Sequence, residues 1–208
     1  MVKVVEVVMI LKGKHSTVFV KGDVARKVFQ PEFRLNFWKE ARFLAALQPF
    51  HFVPRLYAII PEKLTVEMEF VKGRTIGEII RAGDRDEIKL TALKTAEICR
   101  TLDLLGIQKE EMNHPDKHVI VGWSSQDSEQ IKQTGHTRYP NVKLIDFERS
   151  KESGRPSNLT QFIIYLLRKR IVVNRKDEMI SLLKSYKATY SQETYRKIIN
   201  FLMESFKY

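Results

Sequence analysis

The chain has 208 residues, 43% of them hydrophobic and 29% charged, with a formal net charge of +11. This is the composition of a soluble globular protein, long enough for one domain or two small lobes. No apolar run reaches the length of a membrane span, Lys3 and Glu6 interrupt any secretory signal, and the single cysteine, Cys99, excludes an intrachain disulfide. We therefore expect a cytoplasmic protein.

The positive charge is concentrated in the last third of the chain. Residues 132–208 contain 16 Lys/Arg against 7 Asp/Glu, whereas residues 71–131 contain 9 against 11. Such a basic region attracts a polyanion, because neutralised phosphates release their counterions. The solvated, Lys-rich surface of a heat-tolerant protein accounts for the same charge, so composition alone leaves both interpretations open.

In chain order, strand signals come first. β-Branched residues with turn signals at Gly13 and Gly22 predict strands, and Pro31 suits the start of a helix whose apolar residues recur at helical spacing. Strand character returns on either side of a turn at Pro61. The front of the chain is thus predicted to be a small sheet with one helix.

From Ile76 onward the pattern is mainly helical. One helix is predicted to stop at Gly106, and a short strand, HVIVGW, follows a polar segment. A hydrophilic loop from Ser124 to Pro140 then precedes the strand NVKLIDF, and its Lys132, His136 and Arg138 are candidate substrate contacts. Three closing helices are predicted near residues 158–171, 175–188 and 191–206.

Lys27 and Glu40 carry the first candidate chemistry. Lys27 lies on a predicted strand after a turn, and Glu40 follows thirteen residues later in the predicted helix. A strand lysine held by a helix glutamate is the arrangement with which protein kinases grip nucleotide phosphates. Gly13 and Ser16 stand where a kinase has its phosphate-covering hairpin, although the segment lacks the full G-x-G-x-x-G pattern.

The stretch TVEMEFVKG, residues 65–73, resembles the kinase hinge, where backbone groups read the adenine edge. By position Met68 corresponds to the gatekeeper residue, and Glu69 and Val71 belong to the hinge. An alternating strand followed by a turn explains the same pattern without a ligand.

The stretch LLGIQKEEMNHPDKHVIV resembles the kinase catalytic loop. Counting forward from Gly106 assigns Glu111 to the catalytic aspartate, and counting back from the apolar strand assigns His118 to the metal-binding asparagine. The two counts disagree by two residues, so Asp116 is a second candidate for the metal role. Lys117 is expected near the γ-phosphate.

The motif IDFE resembles the kinase Asp-Phe-Gly motif, with Glu148 in the place of the glycine. The resemblance implies that Asp146 binds a Mg²⁺ ion that bridges the nucleotide phosphates. A bound cation explains why a carboxylate follows a buried strand, since an unpaired buried charge is costly.

Taken together, these ordered landmarks resemble the protein-kinase fold over nearly the whole chain. The resemblance implies an α+β, bilobal architecture, with a front lobe of antiparallel sheet and one helix over residues 1–72 and a mainly helical back lobe over residues 73–208. After Asp146 the chain leads directly to a helix, with no Ala-Pro-Glu segment and no room for a long activation segment. In this absence the chain resembles the small atypical kinases of archaea, including the RIO and Bud32 groups.

The sequence of the catalytic-loop stretch and the motif IDFER are most similar to those of an archaeal group of predicted serine/threonine kinases. That group includes the archaeal RNA kinase, which phosphorylates a ribose 2′-hydroxyl of tRNA. The resemblance implies ATP and Mg²⁺ as cofactors and tRNA as partner; an atypical protein serine/threonine kinase and an ATP-binding pseudokinase are the alternatives. A basic cluster is the candidate RNA contact, although cations at a helix end also suit the helix dipole. This cluster consists of Arg168, Lys169, Arg170, Arg175 and Lys176.

Overall fold

The structure is a computed structural model that describes residues 9–122, 140–172 and 175–206. The predicted loop from Ser124 to Pro140 lies outside the described residues except for Pro140, and so do its Lys132, His136 and Arg138. None of the helices in the described ranges is long and apolar enough to cross a lipid bilayer.

The chain divides into two compact units. One comprises Met1–Lys72 with Lys143–Ser150, and the other comprises Gly73–Val142 with Lys151–Tyr208. The sequence had assigned all residues after 72 to the back lobe, whereas the structure groups Lys143–Ser150 with the front unit. Asp146 therefore belongs to the same compact unit as Lys27 and Glu40.

An antiparallel sheet forms the base of the first unit, with the strand order β1-β2-β3-β5-β4. Gly22 takes a φ of +60° in the tight turn between the second and third strands, a conformation that glycine adopts without steric cost. The strands are β1 (Met9–Lys12), β2 (Ser16–Lys21), β3 (Val24–Phe29), β4 (Leu56–Ile60) and β5 (Thr65–Glu69).

The helix of the first unit, α1 (Arg34–Leu47), packs against this sheet. Residues alternate in β3, so that Lys27 and Phe29 are buried while Arg26 is exposed. Phe37 of α1 meets Phe29 edge-on, with ring centroids 6.0 Å apart. Glu40 lies three residues after Phe37, on the same helix face. The packing of α1 therefore brings Glu40 towards the buried face of β3.

In the second unit helices dominate the described residues. Two small pairings complete it: β6, β8 and β9 form one sheet, and β7 pairs with β10. The helices are α2 (Ile76–Ala82), α3 (Arg85–Leu104), α4 (Asn158–Arg168), α5 (Lys176–Thr189) and α6 (Gln192–Ser205). The strands are β6 (Arg74–Thr75), β7 (Ile107–Gln108), β8 (Val119–Gly122), β9 (Asn141–Leu144), of which Lys143 and Leu144 are grouped with the first unit, and β10 (Lys151–Glu152).

Local capping signals fix where the first helices of this unit begin and end. Thr75 and Glu78 form a capping box at the start of α2, and Gly83, at a φ of +80°, ends it. Asp84 then accepts a hydrogen bond from the Glu87 N–H at the start of α3. The helical back region and the sheet-rich front confirm the predicted α+β class.

Gly73 provides a test of the packing between β6 and β8. A Cβ added there would lie 2.3 Å from the Val121 carbonyl oxygen, a backbone atom that cannot rotate away. We expect Gly73→Ala to lower the free energy of unfolding by about 1–3 kcal/mol, measured by urea denaturation. Gly154→Ala is the matched control, because no atom lies within 4 Å of its added Cβ. Equal stability of the two variants would contradict this description of the second unit.

Candidate active site

Lys27 lies among three carboxylates in the first unit. Its Nζ atom is 3.3 Å from Glu40 Oε2, 2.9 Å from Asp146 Oδ1 and 3.0 Å from Glu148 Oε2. Lys27 donates hydrogen bonds to Glu40 and Asp146 and forms an ion pair with Glu148. The Lys27 side chain is 7% exposed, so water screens these ion pairs only weakly.

Glu40 joins the lysine to the segment that carries Asp146. Its Oε2 atom, besides contacting Lys27, accepts a hydrogen bond of 2.8 Å from the Phe147 N–H. The Glu40 side chain is 1% exposed, and a buried carboxylate is stable only when cations and donors surround it. Glu40 therefore fixes both Lys27 and the backbone next to Asp146.

The charges around Lys27 determine its protonation. Burial by itself lowers the pKa of the Lys27 ammonium, because it penalises the charged form. The negative charges of Glu40, Asp146 and Glu148, together with the hydrogen bond to Asp146, outweigh burial and raise the pKa above its ordinary value. Lys27 is thus a fixed cation at neutral pH.

Asp146 is the most accessible carboxylate of this group, with 36% of its side chain exposed. Its backbone takes a φ of +66°, a left-handed conformation that aspartate tolerates better than most residues. Carboxylate oxygens of Glu40, Asp146 and Glu148 lie within 4.8 Å of one another. Oxygen ligands are those that Mg²⁺ prefers, so this set of side chains fits the cation that the sequence implied.

Two residues of this cluster were missing from the sequence-based candidates, Glu148 and His15. The His15 Nδ1 atom lies 2.6 Å from Glu148 Oε1, and the His15 ring packs on Phe33 with centroids 4.2 Å apart. A signal for Glu148 existed, because it is a charged residue where a glycine is usual. No comparable signal existed for His15, since its partner lies 133 residues away.

The other front candidates lie around the same sheet. Gly13 and Ser16 close the β1–β2 hairpin through a hydrogen bond of 2.9 Å from the Gly13 N–H to the Ser16 carbonyl. Met68 is buried in β5. The Glu69 carboxylate accepts a hydrogen bond from the Arg55 N–H and pairs with Lys143, so this side chain is engaged in structural contacts.

The hinge backbone is partly committed to the fold. The N–H groups of Glu69 and Phe70 donate to the carbonyls of Arg55 and Asp23, each at 2.8 Å. Within the described ranges, the Val71 N–H has no hydrogen bond to the rest of the chain. The Val71 N–H is the hinge donor that can bind a ligand without breaking an existing bond.

Glu111 and His118 meet in the second unit. His118 Nε2 lies 2.8 Å from Glu111 Oε2. The two residues were selected by counting along the kinase catalytic loop from opposite ends, and the two counts differ by two residues. Glu111 takes a φ of +69°, which marks a sharp turn of the loop. Lys117 ends the 3₁₀ turn Pro115–Lys117 and is exposed.

Asp116 is held by helix α4. Its Oδ1 atom accepts hydrogen bonds from the Tyr165 hydroxyl and from Lys169 Nζ, each at 3.0 Å. Partial burial acts to raise the pKa of Asp116, but these two hydrogen bonds and the Lys169 charge lower it below its ordinary value. Asp116 therefore has a structural role, because it attaches its loop to Tyr165 and Lys169.

The basic cluster splits into two groups. Arg168 donates to the Asn113 carbonyl and Lys169 pairs with Asp116, so both contact the loop that contains Glu111 and His118. The other three members, Arg170, Arg175 and Lys176, are exposed. Arg175 also pairs with Glu178 on the surface, an interaction worth little in water.

Asn158, at the start of α4, holds the beginning of the loop and was missed by sequence reasoning. Its amide oxygen accepts from the Lys109 N–H at 2.8 Å, and its amide nitrogen donates to the Ile107 carbonyl at 2.7 Å and to Asp103 Oδ1 at 2.8 Å. Burial raises the pKa of Asp103, and hydrogen bonds from Asn158, Leu159 and Tyr186 act against that rise. The strand before Glu111 is thus fixed by buried polar contacts.

Asn158→Ala tests this network. The substitution removes the amide side chain that bonds the Lys109 N–H, the Ile107 carbonyl and the Asp103 carboxylate, all of them buried, so we expect the free energy of unfolding to fall by about 2–4 kcal/mol in urea denaturation. Asn200→Ala, at an exposed position of helix α6, is the matched control and is expected to change stability by less than about 0.5 kcal/mol. An Asn158 variant as stable as the control would show that these hydrogen bonds do not organise the loop.

Comparison with known proteins gives structural neighbours only. No protein-family model and no curated protein sequence matches the chain. Among solved structures, the Rio2 kinase–ADP/Mg²⁺–phosphoaspartate complex from Chaetomium thermophilum matches with a TM-score of 0.57 and 15% identity, over 95% of this chain and 70% of that one. Another Rio2 structure from the same organism matches with a TM-score of 0.53 and 14% identity, over 94% and 71%.

A second kind of neighbour is WbdD, a bifunctional kinase-methyltransferase. Its complex with a kinase inhibitor matches with a TM-score of 0.56 and 16% identity, over 94% of this chain and 43% of WbdD. The chain thus spans less than half of WbdD. Identities this low establish the fold alone, and they confirm the predicted one: the protein has a protein-kinase-like fold, similar to that of the atypical Rio2 kinase.

Proposed function

We propose that the protein is an ATP-dependent kinase that transfers the γ-phosphate to a hydroxyl group. The observation that carries this proposal is the convergence of Lys27, Glu40 and Asp146 on one point, although 119 residues separate Lys27 from Asp146. Phosphoryl transfer needs alignment and charge compensation more than covalent help, and a buried cation beside carboxylates supplies both. The ADP and Mg²⁺ in the Rio2 complex support ATP and Mg²⁺ as the cofactors.

The first unit would bind the nucleotide. Lys27, oriented by Glu40, contacts the α- and β-phosphates, and Asp146 holds Mg²⁺, which when bound neutralises charge on the phosphates. Gly13 and Ser16 cover the phosphates through the β1–β2 hairpin.

Adenine would be recognised at the end of β5. The Glu69 carbonyl and the Val71 N–H offer an acceptor and a donor to the adenine edge, and Met68 lines the back of this pocket. The absence of an acceptor for the Val71 N–H within the described part of the chain supports this assignment.

The second unit would supply the base. Glu111 accepts or orients the proton of the attacking hydroxyl, and we assign His118 to holding Glu111 through their 2.8 Å contact. A nitrogen ligand suits Mg²⁺ poorly, which favours this role for His118 over metal binding. Asp116 stays the second candidate for the metal, in competition with its bonds to Tyr165 and Lys169, and Lys117 is assigned to the γ-phosphate.

The proposed acceptor is a ribose 2′-hydroxyl of tRNA. Its support is the resemblance of the catalytic loop and the basic last third of the chain. Arg170, Arg175 and Lys176 are the proposed phosphate contacts, whereas Arg168 and Lys169 connect the basic cluster to the catalytic loop. A protein serine/threonine kinase and a nucleotide-binding pseudokinase are the alternatives that the next experiment separates.

The transfer reaction tests the proposal directly. Incubation with γ-labelled ATP, Mg²⁺, total tRNA and a protein mixture is expected to label tRNA. Asp146→Asn and Glu111→Gln are each expected to reduce the rate by about 10²–10³-fold, since each removes a group that acts in the transition state. Glu67→Gln, which removes a carboxylate paired with Arg26, is the control and should retain the rate. Label in protein only, or ATP binding without transfer, would replace the tRNA proposal with one of the two alternatives.

The salt dependence of tRNA binding tests the docking surface. Replacing Arg170, Arg175 and Lys176 together by Gln removes three cations. We expect the affinity for tRNA to fall at least about tenfold at low salt and the slope of log K against log salt to decrease by about 2–3. Filter binding or fluorescence anisotropy measures both quantities.

A charge-matched triple variant is the control for this experiment. Lys12, Arg34 and Lys63 are exposed cations of the first unit. Their replacement by Gln changes the net charge by the same amount and is expected to leave the slope nearly unchanged. If both triple variants lose affinity equally, tRNA responds to overall charge, and Arg170, Arg175 and Lys176 are no docking surface.

A further inference from the structure

We propose that Glu148 is a specificity-determining residue: its carboxylate occupies Lys27 in the absence of nucleotide, is displaced by the nucleotide phosphates, and so makes nucleotide binding depend on a divalent cation. The proposal deepens the proposed kinase function and rests on it. It starts from the juxtaposition of Lys27, Glu148 and His15 in the first unit.

A phosphate oxygen can contact the Lys27 ammonium only if one of the carboxylates moves away from it. The ammonium can donate three hydrogen bonds, and three carboxylates, those of Glu40, Asp146 and Glu148, already lie within 3.3 Å of its nitrogen. Glu40 is the least able to leave, because it is buried in helix α1 and also accepts from the Phe147 N–H. The exchange must therefore involve Asp146 or Glu148.

Glu148 has a second basic partner on its other oxygen. Oε2 contacts Lys27 at 3.0 Å, while Oε1 contacts His15 Nδ1 at 2.6 Å. If Oε2 leaves Lys27, the carboxylate keeps His15 and does not become an isolated buried charge. Asp146 has a different task in the proposed function, the binding of the cation.

His15 is well placed to retain Glu148. Its ring packs on Phe33 at the start of the α1 region, and its carbonyl accepts a hydrogen bond of 3.2 Å from the Gln30 N–H. His15 is thus anchored by contacts that do not involve Lys27. The β1–β2 hairpin that carries His15 is also the segment proposed to cover the phosphates. A Glu148 side chain that moves towards His15 therefore stays next to this hairpin.

The charge of the cluster explains the dependence on a cation. Three carboxylates face one ammonium, and a triphosphate brings several further negative charges to the same point. Without a divalent cation these like charges repel one another across a few ångströms of poorly screened space. A cation offsets Asp146 and the phosphates together, so ATP with Mg²⁺ is favoured strongly over ATP alone.

The test compares ATP binding by wild type and Glu148→Gln, with Mg²⁺ and with EDTA, by isothermal titration calorimetry. The glutamine keeps the size of the side chain but removes one negative charge from Lys27. We expect the variant to bind metal-free ATP at least tenfold more tightly than wild type, and the ratio of Kd without metal to Kd with metal to shrink by a similar factor. Glu67→Gln is the control. It removes a carboxylate of β5 that pairs with the exposed Arg26, and it should change neither the Kd with metal nor the Kd without metal.

His15→Gln is expected to have the opposite effect. Without His15, Lys27 is the basic partner that Glu148 keeps among the described residues, so metal-free ATP should bind several-fold more weakly than to wild type. This second variant keeps the proposal testable if Glu148→Gln fails to fold, which thermal melting would reveal.

The remaining outcomes are distinct. Weaker Mg²⁺–ATP binding by Glu148→Gln, with unchanged binding in EDTA, would make Glu148 a metal ligand and overturn the proposal. Unchanged Kd values under both conditions would also overturn it. Wild type that binds ATP under neither condition would overturn the kinase function itself, and this inference with it. Wild-type binding without the predicted shift would overturn the inference alone.

Discussion

The structure of the first unit depends on keeping one ammonium group buried. Lys27 extends from the buried face of a central strand, where an unpaired charge is strongly destabilising. Glu40, Asp146 and Glu148 compensate it from a helix and from the segment after β9. The same ion pairs therefore hold residues 143–150 in the first unit, and they form the cation–carboxylate group on which the proposed chemistry is built.

This constraint also explains an unusual feature of the IDFE motif. The kinase Asp-Phe-Gly motif has a glycine at this position, and a carboxylate there would be unfavourable beside Glu40 and Asp146 without compensation. Lys27 and His15 provide it from two sides. In the proposed function, this extra charge favours nucleotide that arrives with a divalent cation over metal-free nucleotide.

Much of the architecture was predictable because its signals are local. Caps and apolar periodicity located the helices to within about three residues; helix α4, for example, ends at Arg168 and not near residue 171. The contacts of Lys27 with Glu40 and Asp146 could be anticipated from the order of landmarks. Those of His15 and Asn158 could not, because each partner lies about 50 or more residues away in the chain and no motif connects the two positions. The contact between Lys169, at the end of α4, and Asp116 could not be foreseen for the same reason.

The most direct test of the central claim is a crystal structure of the protein with a non-hydrolysable ATP analogue and Mn²⁺, whose anomalous scattering locates the ion. We expect the ion to be bound to the Asp146 carboxylate, and Lys27 Nζ to lie within hydrogen-bond distance of an α- or β-phosphate oxygen. An ion bound to other residues, or phosphates remote from a Lys27 that still contacts all three carboxylates, would contradict it.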